Sequence, residues 1–229
     1  MPRPPHLNQP GGRFLSASHP HARGRERELR AMTDAVRRLI RATVTHHASA
    51  EETTVLTQEL EVLAAKLESH VPEQAPDRYF GAALADGLEP HDVFPYDYAL
   101  GLYNPIALPV EMTWEPPQAV GRAHFDDPYE GPPGCVHGAV LAAVFDQVFN
   151  VANLANRTAG PTANLTLDYK RPTPLRQDLV FKAHVASVEG RKIHTVGHVE
   201  HGGEVCVEAQ GLFILVTREH NWVGGEPDA

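Results

Sequence analysis

Residues 134–156 read GCVHGAVLAAVFDQVFNVANLAN, and this stretch decides the fold of the chain. From Gly138 onward it is apolar on nearly every side, and Asp146 is the single charged residue of the run. The pattern predicts a helix from about Gly138 to Asn156, and such a helix has to be covered on most of its sides. A sheet wrapped around the helix is an economical way to cover it.

The rest of the sequence supplies strands for that sheet. Several segments alternate apolar and polar side chains, which is the period of a half-buried strand. Glycine and proline pairs such as Pro116-Pro117 and Gly202-Gly203 separate them. We therefore predict an α+β fold in which an antiparallel sheet wraps around a long central helix. Strands are expected at about 110–114, 119–125, 163–169, 179–185, 192–200 and 205–216.

The N-terminal third of the chain has a different sequence pattern. Residues 1–24 lack periodicity and are expected to be flexible, whereas 25–70 are predicted to form a helical hairpin. Ser49 and Glu52 form a capping-box pattern at the start of the second helix, along which leucines recur at steps of three and four. The leucines of this second helix are Leu56, Leu60, Leu63 and Leu67. Residues 71–108 are interpreted as a linker that wraps the core, 109–217 as the main domain, and 218–229 as a C-terminal tail.

Composition narrows the possible functions. The net charge of −9 disfavours a nucleic-acid surface, which needs a basic field. The two cysteines, Cys135 and Cys206, are far apart, and the 14 histidines are scattered, so we expect neither a disulfide nor a metal site. The richest apolar run is broken by Asp146, Gln147 and Asn150, and the N-terminus lacks the apolar stretch of a secretory signal. These features predict a cytoplasmic protein without a membrane span.

Two blocks of motifs carry a family resemblance. The first is YEGPPGCVHGA at 129–139, followed by Asp146 within the helix. The second is TANL at 162–165, DYKRP at 168–172 and VEGRK at 188–192. In this order and spacing the motifs resemble the signature of hotdog-fold acyl-CoA thioesterases, most nearly the phenylacetyl-CoA thioesterase (PaaI-like) group and the related mammalian thioesterase superfamily members.

The resemblance covers about residues 105–217 and implies a hotdog fold and hydrolysis of acyl-CoA to free acid and CoA. It implies no cofactor, because CoA is part of the substrate. The family usually has His-Gly-Gly where this chain has His137-Gly138-Ala139. This difference leaves Gly138 unchanged, and the amide of Gly138 is the one that the chemistry would use. Ala139 fits the first turn of the helix, because alanine has a good helix propensity.

Thioester hydrolysis needs an attacking group and a site for negative charge, but no strong acid, because a thiol leaving group has a pKa of about 8.5. Asp146 is the candidate for the attack, since Val144, Phe145, Val148 and Phe149 flank it and an apolar environment makes a carboxylate a stronger base. In the resembling enzymes this position acts as general base or as nucleophile, and the sequence leaves the two roles open.

Gly138 is the candidate oxyanion donor, because backbone N–H groups are unpaired at the start of a helix and the helix dipole favours negative charge there. His137 is expected to orient the loop or the thioester carbonyl. The resemblance implies that Thr162 positions the attacking water.

The spacing of these residues predicts an obligate homodimer, or a dimer of dimers. Gly138 and Asp146 are eight positions apart, which is about 12 Å along one helix. The oxyanion donor and the attacking group should converge within about 3 Å of one carbonyl. Two helices side by side in a symmetric dimer would place Gly138 of one protomer near Asp146 of the other.

Other interpretations stay open. Lys170, Arg171, Arg191 and Lys192 either bind the phosphates of CoA or are solvated turn residues. A non-catalytic acyl-CoA-binding protein is an alternative function, which Ala139 and the N-terminal helices would favour. An enoyl-CoA hydratase is a less favoured one, because the segment 86–91 mimics its motif but lacks the asparagine and precedes the central helix.

Overall fold

The computed structural model describes residues 22, 24–74, 95–156, 158 and 160–215. The predicted flexible segment 1–24 therefore lies almost wholly outside the described residues. So do much of the predicted linker 71–108, including the hydratase-like segment 86–91, and the tail 218–229. The N-terminal helices and the main domain can be compared with expectation.

Six antiparallel strands form one sheet in the order β1-β2-β4-β5-β6-β3. Strand β3 lies at one edge of this sheet and pairs only with β6 among the described strands. The predicted strands and the predicted antiparallel sheet are confirmed. The strands are β1 Val110–Glu115, β2 Gln118–His124, β3 Thr162–Tyr169, β4 Asp178–Glu189, β5 Lys192–His201 and β6 Glu204–Ile214.

Three α-helices accompany the sheet in the described part of the chain: α1 Glu26–Thr45, α2 Ala50–Glu68 and α3 Gly138–Ala155. Helix α3 is the predicted central helix, and its apolar face is buried against the inner face of the sheet. Phe145 meets Phe181 of β4 with ring centroids 5.3 Å apart. Phe149 meets Phe213 of β6 at 6.2 Å. Both contacts are edge-on, the arrangement that the charge distribution of aromatic rings favours.

Two glycines of the sheet make room for α3. A Cβ on Gly197 would come within 2.8 Å of the Phe149 ring, and one on Gly211 within 2.7 Å of it. Such approaches are closer than van der Waals contact permits, so only glycine lets the sheet close on this ring. The position of α3 against β5 and β6 is thereby fixed.

The length and mean hydropathy of α3 would suffice for a membrane span, although its polar residues had suggested otherwise. Half of the helix is buried inside the protein, which is the situation of a core helix. Its polar residue Asn153 is itself buried, where its Oδ1 accepts a hydrogen bond of 2.5 Å from the Thr195 hydroxyl.

The two N-terminal helices are present, but they differ in their contacts. Helix α1 packs on a short 3-10 turn at Asp127–Tyr129, and Arg41 forms an ion pair of 2.6 Å with Asp126. Helix α2 begins with the predicted capping box, in which Ser49 and Glu52 exchange hydrogen bonds of 2.8 and 3.2 Å. None of its residues is buried, so α2 does not bury its leucines against α1 or the domain, as a packed hairpin would.

Candidate active site

Asp146 and Thr162 meet where α3 passes the first residue of β3. The Thr162 hydroxyl donates a hydrogen bond of 2.6 Å to Oδ1 of Asp146. The second carboxylate oxygen accepts no hydrogen bond from the described residues, and the Asp146 side chain is half-buried. One oxygen is thus held in place, while the other is free to contact water or substrate.

The surroundings of Asp146 differ from the prediction. The apolar residues that flank it in sequence, such as Phe145 and Val148, point into the core and are fully buried. Successive residues of a helix are rotated by about 100°, so sequence neighbours face different sides. Asp146 lies instead with the partly exposed Gln147 and Asn150, on the side of α3 that faces away from the core. The predicted apolar cover of Asp146 is therefore not provided by its own sequence neighbours.

Gly138 is the first residue of α3, and its amide is available. The preceding residue, His137, caps the helix: its Nδ1 accepts a hydrogen bond of 3.0 Å from the amide of Ala139. The amides of Val140 and Leu141 bind the carbonyl of His137. In the part of the chain that the structure describes, the Gly138 N–H donates to no acceptor. It combines an unpaired donor with the positive end of the helix dipole.

The loop before Gly138 is held by hydrogen bonds within itself. The amide of His137 binds the carbonyl of Tyr129 at 2.9 Å, and that of Gly131 binds Cys135 at 2.9 Å. Glu130 accepts a hydrogen bond of 2.7 Å from the amide of Gly134, which has a positive φ of 75°. Such a φ favours glycine at position 134, whereas a Cβ on Gly131 would come within 2.8 Å of the Cα of His137.

Tyr129 fixes the start of this loop. Its ring packs edge-on against Phe125 with centroids 5.3 Å apart, and burial raises the pKa of Tyr129. The Tyr129 phenol therefore stays protonated, and its ring anchors the loop on Phe125.

Tyr169 belongs to this site and had no role in the sequence interpretation. Its hydroxyl donates a hydrogen bond of 3.1 Å to the carbonyl of Gly138. A Cβ on Gly138 would lie 3.0 Å from that hydroxyl oxygen. Tyr169 therefore joins the last residue of β3 to the first turn of α3 and leaves space for little more than a glycine. The signal in the sequence was a hydroxyl-bearing side chain at an apolar position of the β3 alternation.

The four site residues form two groups in one protomer. Thr162 and Asp146 lie together at the start of β3, whereas Gly138 and His137 lie at its other end, beside Tyr169. Gly138 and Asp146 are about 12 Å apart along α3. The protomer thus holds the candidate attacking group and the candidate oxyanion donor at separate places.

The four basic residues considered for phosphate binding, Lys170, Arg171, Arg191 and Lys192, form two separate groups within one protomer. Lys170 and Arg171 lie beside the start of β6, where both backbone amides bind the carbonyl of Cys206. Arg191 lies near the other end, where its Nε donates to the carbonyl of Leu215 at 3.3 Å, and its neighbour Lys192 pairs with Ile214. Cys206 and Ile214 are eight residues apart on β6, so these two groups are separated by about 27 Å along the strand. The residues are separated because the connection from β3 to β4, which carries Lys170 and Arg171, and the turn between β4 and β5, beside Arg191 and Lys192, lie at opposite ends of the sheet.

The first pair of basic residues is already engaged with acids. Lys170 contacts Asp168 and lies 3.2 Å from Glu208, and Arg171 contacts Glu204. Hydrogen bonding to Asp168, and then to Glu208, raises the pKa of Lys170. Lys170 therefore stays charged, but its charge is partly balanced by these carboxylates.

The described residues contain no group of three or more histidine, cysteine or acidic side chains that could hold a metal ion. Cys135 is partly exposed and Cys206 is buried, and both are free thiols.

The sequence and the fold of this chain are similar to those of known proteins. Residues 133–208 match the family model described as the thioesterase superfamily. A crystal structure described as a thioesterase superfamily protein is 36% identical with a TM-score of 0.70, over 81% of this chain and 90% of that one. The chain belongs to the thioesterase superfamily, and its fold is the hotdog fold that the motifs had implied.

Curated relatives match a shorter region. Acyl-coenzyme A thioesterase THEM4 of Xenopus laevis is 37% identical over 90 residues, which are 38% of this chain and 40% of that protein. THEM4 of Mus musculus is 33% identical over 92 residues, which are 39% of this chain and 40% of that protein. The match thus spans about two fifths of the length of these relatives.

Proposed function

We propose that this protein hydrolyses acyl-CoA thioesters to the free acid and CoA, in active sites that two protomers share. The observation that carries the proposal is the hydrogen bond of 2.6 Å between Thr162 and Asp146. It orients a half-buried carboxylate at the open side of the central helix. The similarity to the acyl-coenzyme A thioesterases THEM4 supports the same activity and the acyl-CoA substrate.

Asp146 activates the attacking oxygen. As general base its free carboxylate oxygen takes a proton from water while the water oxygen bonds to the thioester carbonyl carbon. As nucleophile the carboxylate itself forms that bond, and water then hydrolyses the resulting anhydride. In both routes the C–S bond breaks and CoA leaves as a thiolate, which takes up a proton. Thr162 holds Asp146 in place and helps to position the water.

The amide of Gly138 holds the developing negative charge of the carbonyl oxygen. It is an unpaired donor at a helix start, which suits an anion. One such donor is typically worth about 3 kcal/mol of transition-state stabilisation. His137 keeps this donor in place, because its Nδ1 engages the next amide and so fixes the first turn of α3.

A symmetric dimer brings the two groups together. Strand β3 lies at the edge of the sheet, and only Leu165 and Leu167 of its residues are even partly buried. An exposed edge of this kind is a template for pairing with another strand. If two β3 strands pair antiparallel, Thr162 and Asp146 of one protomer lie close to Tyr169 and Gly138 of the other. Each dimer then has two complete sites.

Antiparallel pairing of the two β3 strands would also bring together the two groups of basic residues that are separated in one protomer. Lys170 and Arg171 lie at the Gly138 end of the sheet, and Arg191 and Lys192 lie at the Thr162 end. In the antiparallel dimer, the first pair of one protomer approaches the second pair of its partner. We propose that they bind the CoA phosphates together, a task for which lysine and arginine are suited. Cytoplasmic location stays a prediction from the sequence.

Thiol release from short, medium, long and aryl acyl-CoAs tests the proposal and identifies the acyl group. Asp146→Asn removes the base or nucleophile and should lower kcat about 1,000-fold. Asp178→Asn is the matched control, because Asp178 is an exposed carboxylate on β4 whose side chain binds His124, which has no role in the proposed site.

Equal rates for wild type and Asp146→Asn would remove Asp146 from the mechanism. Binding of acyl-CoA by the wild type without release of CoA would replace the proposal with a non-catalytic binding protein.

A further inference from the structure

Helix α2 exposes an apolar stripe that its own chain does not cover. The four leucines Leu56, Leu60, Leu63 and Leu67 are 48%, 43%, 57% and 49% exposed. None of the helix residues is buried. Exposed leucines that occur singly are ordinary, but four along one side of a helix form a continuous strip.

The stripe has the spacing of a coiled-coil seam. Thr53, Leu56, Leu60, Leu63 and Leu67 follow each other at steps of three, four, three and four. This repeat of 3.5 residues keeps the side chains on one line when two helices cross at a small angle. A partner helix with the same repeat fits this surface by inserting its side chains between the leucines.

The charges of α2 argue against a membrane surface as the occupant. The helix carries five glutamates and one lysine, Lys66. Amphipathic helices that bind anionic membranes have polar faces rich in lysine and arginine.

The charges beside the stripe favour a second copy of α2 in antiparallel orientation. Glu59 and Lys66 lie on the same flank of the leucines, seven residues apart. In an antiparallel pair the same flanks of both helices meet, so Glu59 of each copy lies opposite Lys66 of the other. In a parallel pair Glu59 would lie opposite Ala64, and no ion pair would form.

We propose that α2 binds the α2 helix of a second copy of this chain as an antiparallel pair. The interface is isologous and obeys a two-fold axis. It is separate from the β3 edge and does not depend on the thioester chemistry. A helix of 19 residues is marginal by itself, so two such pairs would join two β3-linked dimers more strongly than one pair joins two chains.

Light scattering and sedimentation equilibrium of the full chain over a range of concentrations test the proposal. Leu60→Gln/Leu63→Gln should halve the limiting mass of the wild type or weaken its assembly at least tenfold. Val55→Gln/Val62→Gln is the matched control, because both valines are at least 51% exposed and lie outside the stripe, about 100° around the helix from the leucines that follow them. An unchanged mass of the leucine variant would overturn the proposal, as would an equal effect of the valine variant.

A charge exchange tests the antiparallel arrangement without disturbing the leucines. Glu59→Lys and Lys66→Glu should each weaken the assembly, because like charges then meet across the pair. The double variant Glu59→Lys/Lys66→Glu should restore it. If Lys66→Glu strengthened the assembly instead, the occupant would be a basic surface such as α1 of a second copy, and the proposal would be wrong. The rate of thiol release per chain, measured on the same samples, reports separately on the proposed activity.

Discussion

At the scale of single residues, the proposed chemistry depends on groups that are held by one neighbour and open on the other side. Asp146 has one oxygen on Thr162 and one free, and Gly138 has its carbonyl on Tyr169 while its amide is free. Each contact fixes an orientation without occupying the atom that would react. Preorganised groups of this kind need no rearrangement when charge develops.

Gly138 offers a direct test of the amide as oxyanion donor. Proline is favoured at the first position of a helix, and the extended conformation of His137, with φ −62° and ψ 134°, suits a following proline. Gly138→Pro should therefore fold but lack the N–H, and its kcat should fall about 100-fold below that of Gly138→Ala. Steady-state thiol release from the two variants measures this difference.

The comparison between alanine and proline controls for the added Cβ, because both substitutions place a Cβ 3.0 Å from the Tyr169 hydroxyl. Making both in a Tyr169→Phe background removes that contact. Equal kcat values for the alanine and proline variants would exclude this amide from the oxyanion site.

At the scale of elements, the sequence correctly predicted the features that depend on residues close together along the chain. The alternation of apolar and polar side chains predicted the strands, and the capping box of Ser49 and Glu52 predicted the start of α2. Both patterns involve only residues that are near each other in sequence. The surroundings of Asp146 were misjudged, since sequence neighbours on a helix face other directions. The separation of the basic residues into two groups did not follow from the sequence, because it depends on which ends of the sheet their segments occupy.

An ion pair between β4 and β5 gives a pH-dependent prediction. Nζ of Lys182 lies 2.5 Å from Oε1 of Glu200, and this hydrogen bond, with a smaller effect of His198, lowers the pKa of Glu200. A depressed carboxyl pKa stabilises the fold above the unfolded value of about 4.3, and this contribution is lost as the pH falls through the folded pKa.

Lys182→Met should therefore lower the free energy of unfolding by about 0.5–1 kcal/mol at neutral pH. The difference from wild type should vanish in acid once Glu200 is protonated. Urea unfolding at both pH values checks this, with Lys192→Met as control, because Lys192 forms no ion pair with any described residue. A difference that persists in acid would show that the lysine stem, and not the charge, stabilises the sheet.

At the scale of the whole molecule, one protomer presents two incomplete halves of a site. The hydrogen bonds of Thr162 and Tyr169 tie the halves to opposite ends of the same edge strand, β3. Symmetric pairing of that edge is the simplest arrangement that completes both sites at once. The distance between the halves followed from the sequence, through the rise of a helix, but the part played by β3 did not, because it depends on strand order.

Mixing two inactive variants tests this sharing. A dimer of Asp146→Asn with Gly138→Pro has one site with both lesions and one site with neither, if each site takes Asp146 from one protomer and Gly138 from the other. Random assembly after co-expression should therefore recover about a quarter of the wild-type activity, since half of the dimers are mixed and half of their sites are intact. Each variant expressed alone gives the background rate. If each protomer contained its own complete site, every site would carry a lesion and the mixture would stay at that background.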